Sequence, residues 1–295
     1  MTRHQPVLAK EIYEHLPKNL SLYFDGTFGH GGHVEYILSQ WAQDDPPKYK
    51  NLKILACDID LQMLNQGIIF TQTREQQITE INQSYAQIDS ILSPYGKVDF
   101  MLLDLGVNME HFKNGERGFS IKENGPLDMR FSEKTNITAK DIIHTYSEKK
   151  LKEILISYGD FSEKSAEYLA KGIIQARTKK EIKTTQELKE VLTTLKCNQK
   201  KIAVIFQVLR IETNAELQQL EIFLANFGKH LNTNSRCAII TYHSIEDRMT
   251  KIAFKKLAEN WTFSLVNKKV IQPHYTEVQK NKAARSAKLR IIEKI

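Results

Sequence analysis

Short apolar runs alternate with stretches of helical period through the first third of the chain. Leu22-Tyr23-Phe24 reads as a short strand running into a glycine-rich turn, Asp25-Gly26-Thr27-Phe28-Gly29-His30-Gly31-Gly32-His33. A helix is expected over residues 34–41, with Ile37, Leu38 and Trp41 on one face. Asp44-Asp45-Pro46-Pro47 should end it, because proline cannot continue a helix. Residues 53–57 form the next expected strand, followed by Asp58-Ile59-Asp60 and a helix through Met63 and Leu64. Residues 77–81 fit a third strand, and residues 98–103 a fourth that is apolar enough to be buried on both faces. Strands of this kind, separated by helices, predict an α/β fold with a largely parallel sheet.

The period then changes. Residues 138–195 read as helical throughout. Leu151, Ile154, Leu155 and Tyr158 fall on one face, with Gly159 placed to end that helix. Ala166, Leu169, Ala170, Ile173 and Ile174 make a second apolar stripe. Thr184-Thr185-Gln186-Glu187 has capping-box spacing ahead of Leu188, Val191, Leu192 and Leu195. Strands resume at residues 236–241 and 287–292. The expected organisation is a discontinuous sheet domain, residues 1–112 and 203–295, with an all-helical subdomain inserted at residues 113–202.

Composition narrows the class only a little. The chain has 295 residues, enough for one large domain or two smaller ones, and its 41% apolar and 26% charged residues are ordinary for a soluble globular protein. The net charge of +7 favours a polyanionic partner. Cys57, Cys197 and Cys237 lie far apart without a CxxC pair, which argues against a disulfide framework or a zinc site and for a reduced compartment. No apolar run approaches the roughly 20 residues that cross a bilayer, and the first residues carry no cleavage-like site. A cytoplasmic protein with no membrane segment and no metal is expected.

The glycine turn carries the first chemistry. Backbone without side chains at Gly29, Gly31 and Gly32 turns tightly and lets a ligand approach its N–H groups, so ligand binding is favoured over a bare connecting loop. It is not a dinucleotide fingerprint, because Val34 stands where the last glycine belongs, and no Gly-Lys-Ser/Thr follows to make a P-loop. Asp58 ends the second strand, where an acidic side chain can take both hydroxyls of a ribose or simply sit in solvent. Asp104 ends the fourth, in Asp104-Leu105-Gly106. Carboxyl ends of strands in open α/β sheets form the ligand crevice, so these strand ends suggest one site.

The glycine turn resembles, in its residues, a block of the ribosomal RNA small subunit methyltransferase H family. Leu103-Asp104-Leu105-Gly106-Val107, Arg117-Gly118-Phe119-Ser120 and Gly125-Pro126-Leu127-Asp128-Met129-Arg130 resemble further blocks. So do His243-Ser244-Ile245-Glu246-Asp247-Arg248 and Ala284-Arg285-Ser286-Ala287-Lys288-Leu289-Arg290. The blocks stand in the family's order and span nearly the whole chain. The resemblance implies a class I S-adenosylmethionine-dependent methyltransferase fold, Rossmann-like, carrying a helical insert. It implies methylation of N4 of a cytidine in the decoding region of 16S rRNA, with the RNA or the small ribosomal subunit as partner and S-adenosylmethionine as donor. Cofactor contacts are implied for Gly31, Gly32, His33, Asp58 and Asp104. Tyr85 stands where relatives often carry phenylalanine, and either ring can stack on adenine. After Val107 many relatives read Ser-Ser-Pro-Gln, whereas this chain reads Asn108-Met109-Glu110-His111. His111 thus takes the place of a cofactor-binding glutamine, and its ring can still donate or accept a hydrogen bond.

A cytosine amino group is a poor nucleophile and must be aligned with the methyl donor while its hydrogens are accepted. Asp104 is the candidate catalytic acceptor; equally, it can hold the amine of the cofactor's methionine, and both roles stay open. His243 follows a strand near the same crevice and is either structural or a contact to the flipped base. Arg130 can pair with Asp128 or reach RNA, and Arg210 can meet a phosphate or a carboxylate. The basic stretches at Lys179-Lys180, residues 196–201, Lys268-Lys269 and residues 280–290, with Lys282 and Arg285, are the expected RNA-facing surface. C5 methylation would need a cysteine nucleophile, yet Cys57 lies in a strand, Cys197 in the insert and Cys237 at a strand start. A 2′-hydroxyl acceptor would need a lysine that no strand end supplies. Two other function classes remain: a small-molecule methyltransferase, opposed by the insert and basic tail, and a non-catalytic ribosome-assembly relative, supported only by the altered loop.

Overall fold

A computed structural model describes residues 6–44, 51–71, 77–113 and 115–295. Seven strands form one sheet in the order β3-β2-β1-β4-β5-β7-β6. They are β1 Leu22–Asp25, β2 Lys53–Cys57, β3 Gln77–Ile81, β4 Val98–Asp104, β5 Leu231–Thr241, β6 Phe263–Leu265 and β7 Lys288–Lys294. The neighbours from β3 to β5 are parallel, and β7 lies antiparallel between β5 and β6. The chain steps outward from β1 to β3 and then returns to place β4 on the other side of β1. Strand order therefore reverses between β1 and β4, the place where open α/β sheets open a crevice at their carboxyl ends.

Alternating side chains from the central strands feed two cores, one on each face. Tyr23, Ile54, Ala56, Phe100, Leu102, Ala238 and Ile240 enter one, with Val34, Ile37, Leu38 and Trp41 of the helix Gly32–Asp44 packed against them. Phe24, Leu55, Met101, Leu103, Cys237 and Ile239 enter the other. This two-sided burial is why β4 reads as a continuous apolar run instead of an alternating one.

The chain divides into two compact units, 1–106 with 218–295, and 107–217. The second is wider at both ends than the 113–202 span expected from sequence. Its last long helix, Gln199–Asn214, continues one apolar stripe through Ile202, Ile205, Phe206 and Leu209, all in the core of the helical unit. A boundary at residue 203 would cut that stripe. The same core takes the helices Glu148–Gly159, Glu163–Lys179 and Thr185–Thr194, and the Thr184–Glu187 capping box is formed.

Other expectations shift locally. Gly159 is the last helical residue, and the left-handed residue that turns the chain is Asp160. The ring of Phe161 passes 2.6 Å from where a Cβ at residue 159 would stand. β5 begins at Leu231 instead of residue 236, so Cys237 lies inside the strand and not at its start. β6 has no counterpart among the expected strands, being only three residues long. The expected helix stop at Asp45-Pro46-Pro47 lies outside the described residues. Among the described residues no helix is long and apolar enough to cross a membrane.

Candidate active site at the strand ends

The turn after β1 is held from below by the strands around it. Gly26 N–H donates to Leu102 O at 2.9 Å and Phe28 N–H to Cys57 O at 2.9 Å, tying the turn to β4 and β2. Gly31 sits at φ +71°, where an L side chain is strained, and a Cβ there would stand 2.8 Å from the Phe28 ring. The helix begins at Gly32. Gly67, on the helix Leu61–Thr71, packs under the turn so closely that a Cβ would come 2.4 Å from Gly29 O.

Acidic side chains gather at these strand ends. Asp58 accepts from Gly29 N–H at 2.7 Å through Oδ2 and from Asp60 N–H at 2.8 Å through Oδ1. Asn82 donates to Asp58 O at 3.0 Å, fixing the backbone beneath. Burial pushes the Asp58 carboxyl up to about 7, against the pull of those two N–H donors. Asp25 is buried, accepts from Tyr23 Oη–H at 2.9 Å, and is pushed by burial to about 6.

Asp104 is the junction. Its Oδ1 accepts from the Tyr242 hydroxyl at 2.8 Å, and its Oδ2 lies 3.3 Å from His33 Nε2. Its N–H donates to Thr27 Oγ1 at 2.6 Å. Through its carboxylate and its N–H, this one residue of β4 thus joins the β1 turn, the following helix and the end of β5. His33 is 7% exposed, and its Nδ1 is buried without a hydrogen-bond partner. A buried ring nitrogen in that state is an opening for a ligand group.

The model of the MraW methylase family matches residues 1–295. The chain belongs to the MraW methylase family. The Ribosomal RNA small subunit methyltransferase H of Elusimicrobium minutum is 38% identical over 99% of this chain and 98% of its own length. The protein of that name from Coprothermobacter proteolyticus is 35% identical over 99% and 96%. An rRNA methylase from Streptococcus thermophilus aligns over 100% of this chain and 99% of its own at 11% identity and a TM-score of 0.41.

In this methylase the structure brings Gly31, His33, Asp58 and Asp104 to the carboxyl ends of the central strands, with Tyr85 beside them. The Tyr85 Cβ lies 3.0 Å from where a Cβ at Gly26 would stand, and its ring meets Phe223 edge-on at 5.7 Å. Gly32 is less constrained than Gly31. A Cβ at Gly32 would make only ordinary contact with Pro6, at 3.4 Å. His111 belongs to the helical unit, buried with its ring 4.8 Å from Phe119 and 5.5 Å from Phe131.

Three of the remaining candidates, His243, Arg130 and Arg210, each meet a carboxylate close by in sequence. His243 caps the helix Ser244–Glu259: its Nδ1 accepts from Glu246 N–H at 3.4 Å, and its Nε2 lies 3.0 Å from Glu246 Oε1. Arg130 grips Asp128 with Nε and Nη2 at 2.8 and 2.7 Å, and Arg210 grips Glu216 at 2.7 and 2.9 Å. Each arginine is thus satisfied by a carboxylate of its own unit. Lys282 and Arg285 are exposed on a short 3₁₀ turn anchored by the buried Ala284 and Ala287. Nothing in the residue pattern singles out Tyr242, Thr27 or Gly67. Among the described residues no group of three or more His, Cys, Asp or Glu is arranged to hold a metal.

Proposed function

We propose that the chain transfers a methyl group from S-adenosylmethionine to N4 of a cytidine in 16S rRNA, acting in the cytoplasm on the RNA or the small ribosomal subunit. The observation that carries this reading is Asp104, braced between His33 and Tyr242 at the reversal point of a methylase-family sheet. The residues present suit the cofactor. Gly31 leaves a cradle that a Cβ would fill, Asp58 and Asp104 offer carboxylate lone pairs to hydroxyl or ammonium hydrogens, and His33 Nδ1 awaits a partner. When bound, S-adenosylmethionine supplies an electrophilic methyl on a sulfonium. Asp58 would hold the ribose, and Tyr85 would offer its ring to the adenine.

Asp104 faces the incoming amine as a fixed acceptor. Tyr242 and His33 hold its orientation, so it needs no reorganisation when charge develops on the nitrogen. Direct transfer suits these residues better than covalent catalysis. Cys57, Cys197 and Cys237 are all buried, and burial pushes each thiol up and away from the reactive thiolate. The test is to incubate the protein with labelled S-adenosylmethionine and unmodified small-subunit RNA, then digest to nucleosides for mass analysis. N4-methylcytidine is expected. Label in 5-methylcytidine or in a 2′-O-methyl nucleoside would overturn the assignment.

A further inference from the structure

The helix Ser244–Glu259 starts beside the candidate site, directly after Tyr242 and His243. It turns Ile245, Glu246, Thr250 and Phe254 inward. Its outer face carries Arg248, Lys251, Ile252, Lys255, Lys256 and Glu259, all exposed. Four of those six side chains are cationic. Glu259, the one acid, stands 3.9 Å from Lys255, both well exposed. Arg248, Lys251 and Lys256 have no carboxylate partner among the described residues. Such a cluster of one sign is not what a solubility face of mixed charge looks like.

Trp261 closes the row. It is 87% exposed, with φ +58°. A left-handed backbone is costly for a residue of this size, and here no packing of the ring offsets it. Phe263, two residues on, is buried in β6 and pins the segment that presents the ring. With 16 residues, the helix runs about 24 Å from the strand ends to the tryptophan, and the row follows it from Arg248 onward.

Cations for phosphates and a bare aromatic face for a base are the two components of single-strand recognition. Protein interfaces, by contrast, are depleted in lysine. We propose that the outer face of this helix is a track for a single-stranded segment of the RNA substrate, with Arg248, Lys251, Lys255 and Lys256 meeting phosphates and Trp261 stacking on a base. This rests on the RNA-substrate reading above, and extends it to nucleotides well away from the methylated one.

The chain has two tryptophans, and Trp41 is buried at 6% exposure. Quenching by a base stacked at the surface therefore reports Trp261, with Trp41 as a constant background. Titration of the full-length protein with a short oligocytidylate should give saturable quenching, kept in Trp41→Phe and lost in Trp261→Ala. By anisotropy of a labelled oligonucleotide, Trp261→Ala should bind about ten-fold more weakly, while Trp261→Phe keeps most of the affinity because its ring still stacks. Reversing Arg248, Lys251, Lys255 and Lys256 to glutamate should lower the log–log salt slope by about 0.7 for each phosphate no longer neutralised. Unchanged affinity and slope in the reversal variant would overturn the track. So would quenching that follows protein concentration without RNA and tracks a dimer in sedimentation, since the face would then bind a second copy. Methyl transfer to small-subunit RNA separates the two readings. If the wild type transfers methyl and the reversal variant keeps its KM for RNA, the track fails alone. If the wild type transfers none, the functional reading fails, and the oligonucleotide titration still decides the track.

Discussion

Replacing Gly67 by alanine sets helix propensity against the binding turn. Alanine is favoured over glycine inside a helix by about 0.8–1 kcal/mol, so the Leu61–Thr71 helix itself gains. The new Cβ, however, would stand 2.4 Å from Gly29 O, 1 Å inside the 3.4 Å where ordinary contact begins, and 2.7 Å from the Phe28 ring. Overpacking of this kind costs about 1–3 kcal/mol, so the net change in stability is small or mildly unfavourable. The strain is relieved most easily by the turn, since the helix is held along its length. Moving Gly29 stretches its 2.7 Å bond to Asp58, which at pH 8, above the raised Asp58 pKa, is a hydrogen bond to a charged acceptor of about 1.5–3 kcal/mol, and displaces the Gly31 cradle with it. Calorimetric titration with S-adenosylmethionine should show at least a ten-fold weaker Kd, about 1.4 kcal/mol, with a melting temperature little changed. Gly32→Ala is the control, since its Cβ meets Pro6 at an ordinary 3.4 Å and its N–H is kept. It should bind as the wild type does. A Gly67→Ala protein with unchanged Kd and a raised melting temperature would refute the coupling, because propensity alone predicts that result.

Asp25 and Asp58, at about 6 and about 7 against 3.8 for a free aspartate, hold protons in the folded state that the unfolded chain has released. Their contribution is therefore fully present below about pH 4 and is lost as pH rises through 6 and 7, by a few kcal/mol together. Urea unfolding of the cofactor-free protein should show stability falling from pH 5 to pH 8, and Asp58→Asn should flatten part of that fall; a pH-independent midpoint would refute it. Tyr242→Phe removes one of the hydrogen bonds that orient Asp104 and should weaken S-adenosylmethionine binding by about ten-fold, an unchanged Kd meaning that His33 suffices. Alanine at Cys57, Cys197 and Cys237 should leave methyl transfer intact, measured by nucleoside mass analysis, and loss of turnover in a folded variant would rule out direct transfer.

What was legible in the sequence was local. The glycine turn, Asp58 and Asp104 each stand at the end of an apolar run, and a run is read from consecutive residues. Gly67 was not legible for the opposite reason: inside a helix it looks like a weak helix former, and its close approach to Gly29 exists only once two segments pack. For Arg130 and Arg210 the sequence leaves an ion pair and an RNA contact equally open, and only packing chooses between them. Arg210 reaches Glu216 across the end of its helix, a spacing of six that helical pairing rules do not anticipate, and Arg130 folds back on Asp128 two residues away. A free cation and a paired one look identical in one dimension.

Register is the deeper reason that the partners of Asp104 were hidden. Tyr242 stands 138 residues from Asp104, and only the parallel pairing of β4 with β5, which sets Asp104 beside Ile240, brings its hydroxyl within 2.8 Å. A slip of one residue in that pairing would turn every β5 side chain to the other face, taking Ala238 and Ile240 out of one core and Ile239 out of the other. The cores thus enforce the register, and the register places the hydroxyl. The irregularity in the β4–β5 ladder lies between Val98 and Phe100, at the end of the strand away from Asp104, while the pairing from Phe100 to Asp104 is unbroken. The sheet tolerates its fault where no chemistry is placed. The Asp104 carboxylate is held where alternating burial on both faces leaves the strands a single way to align.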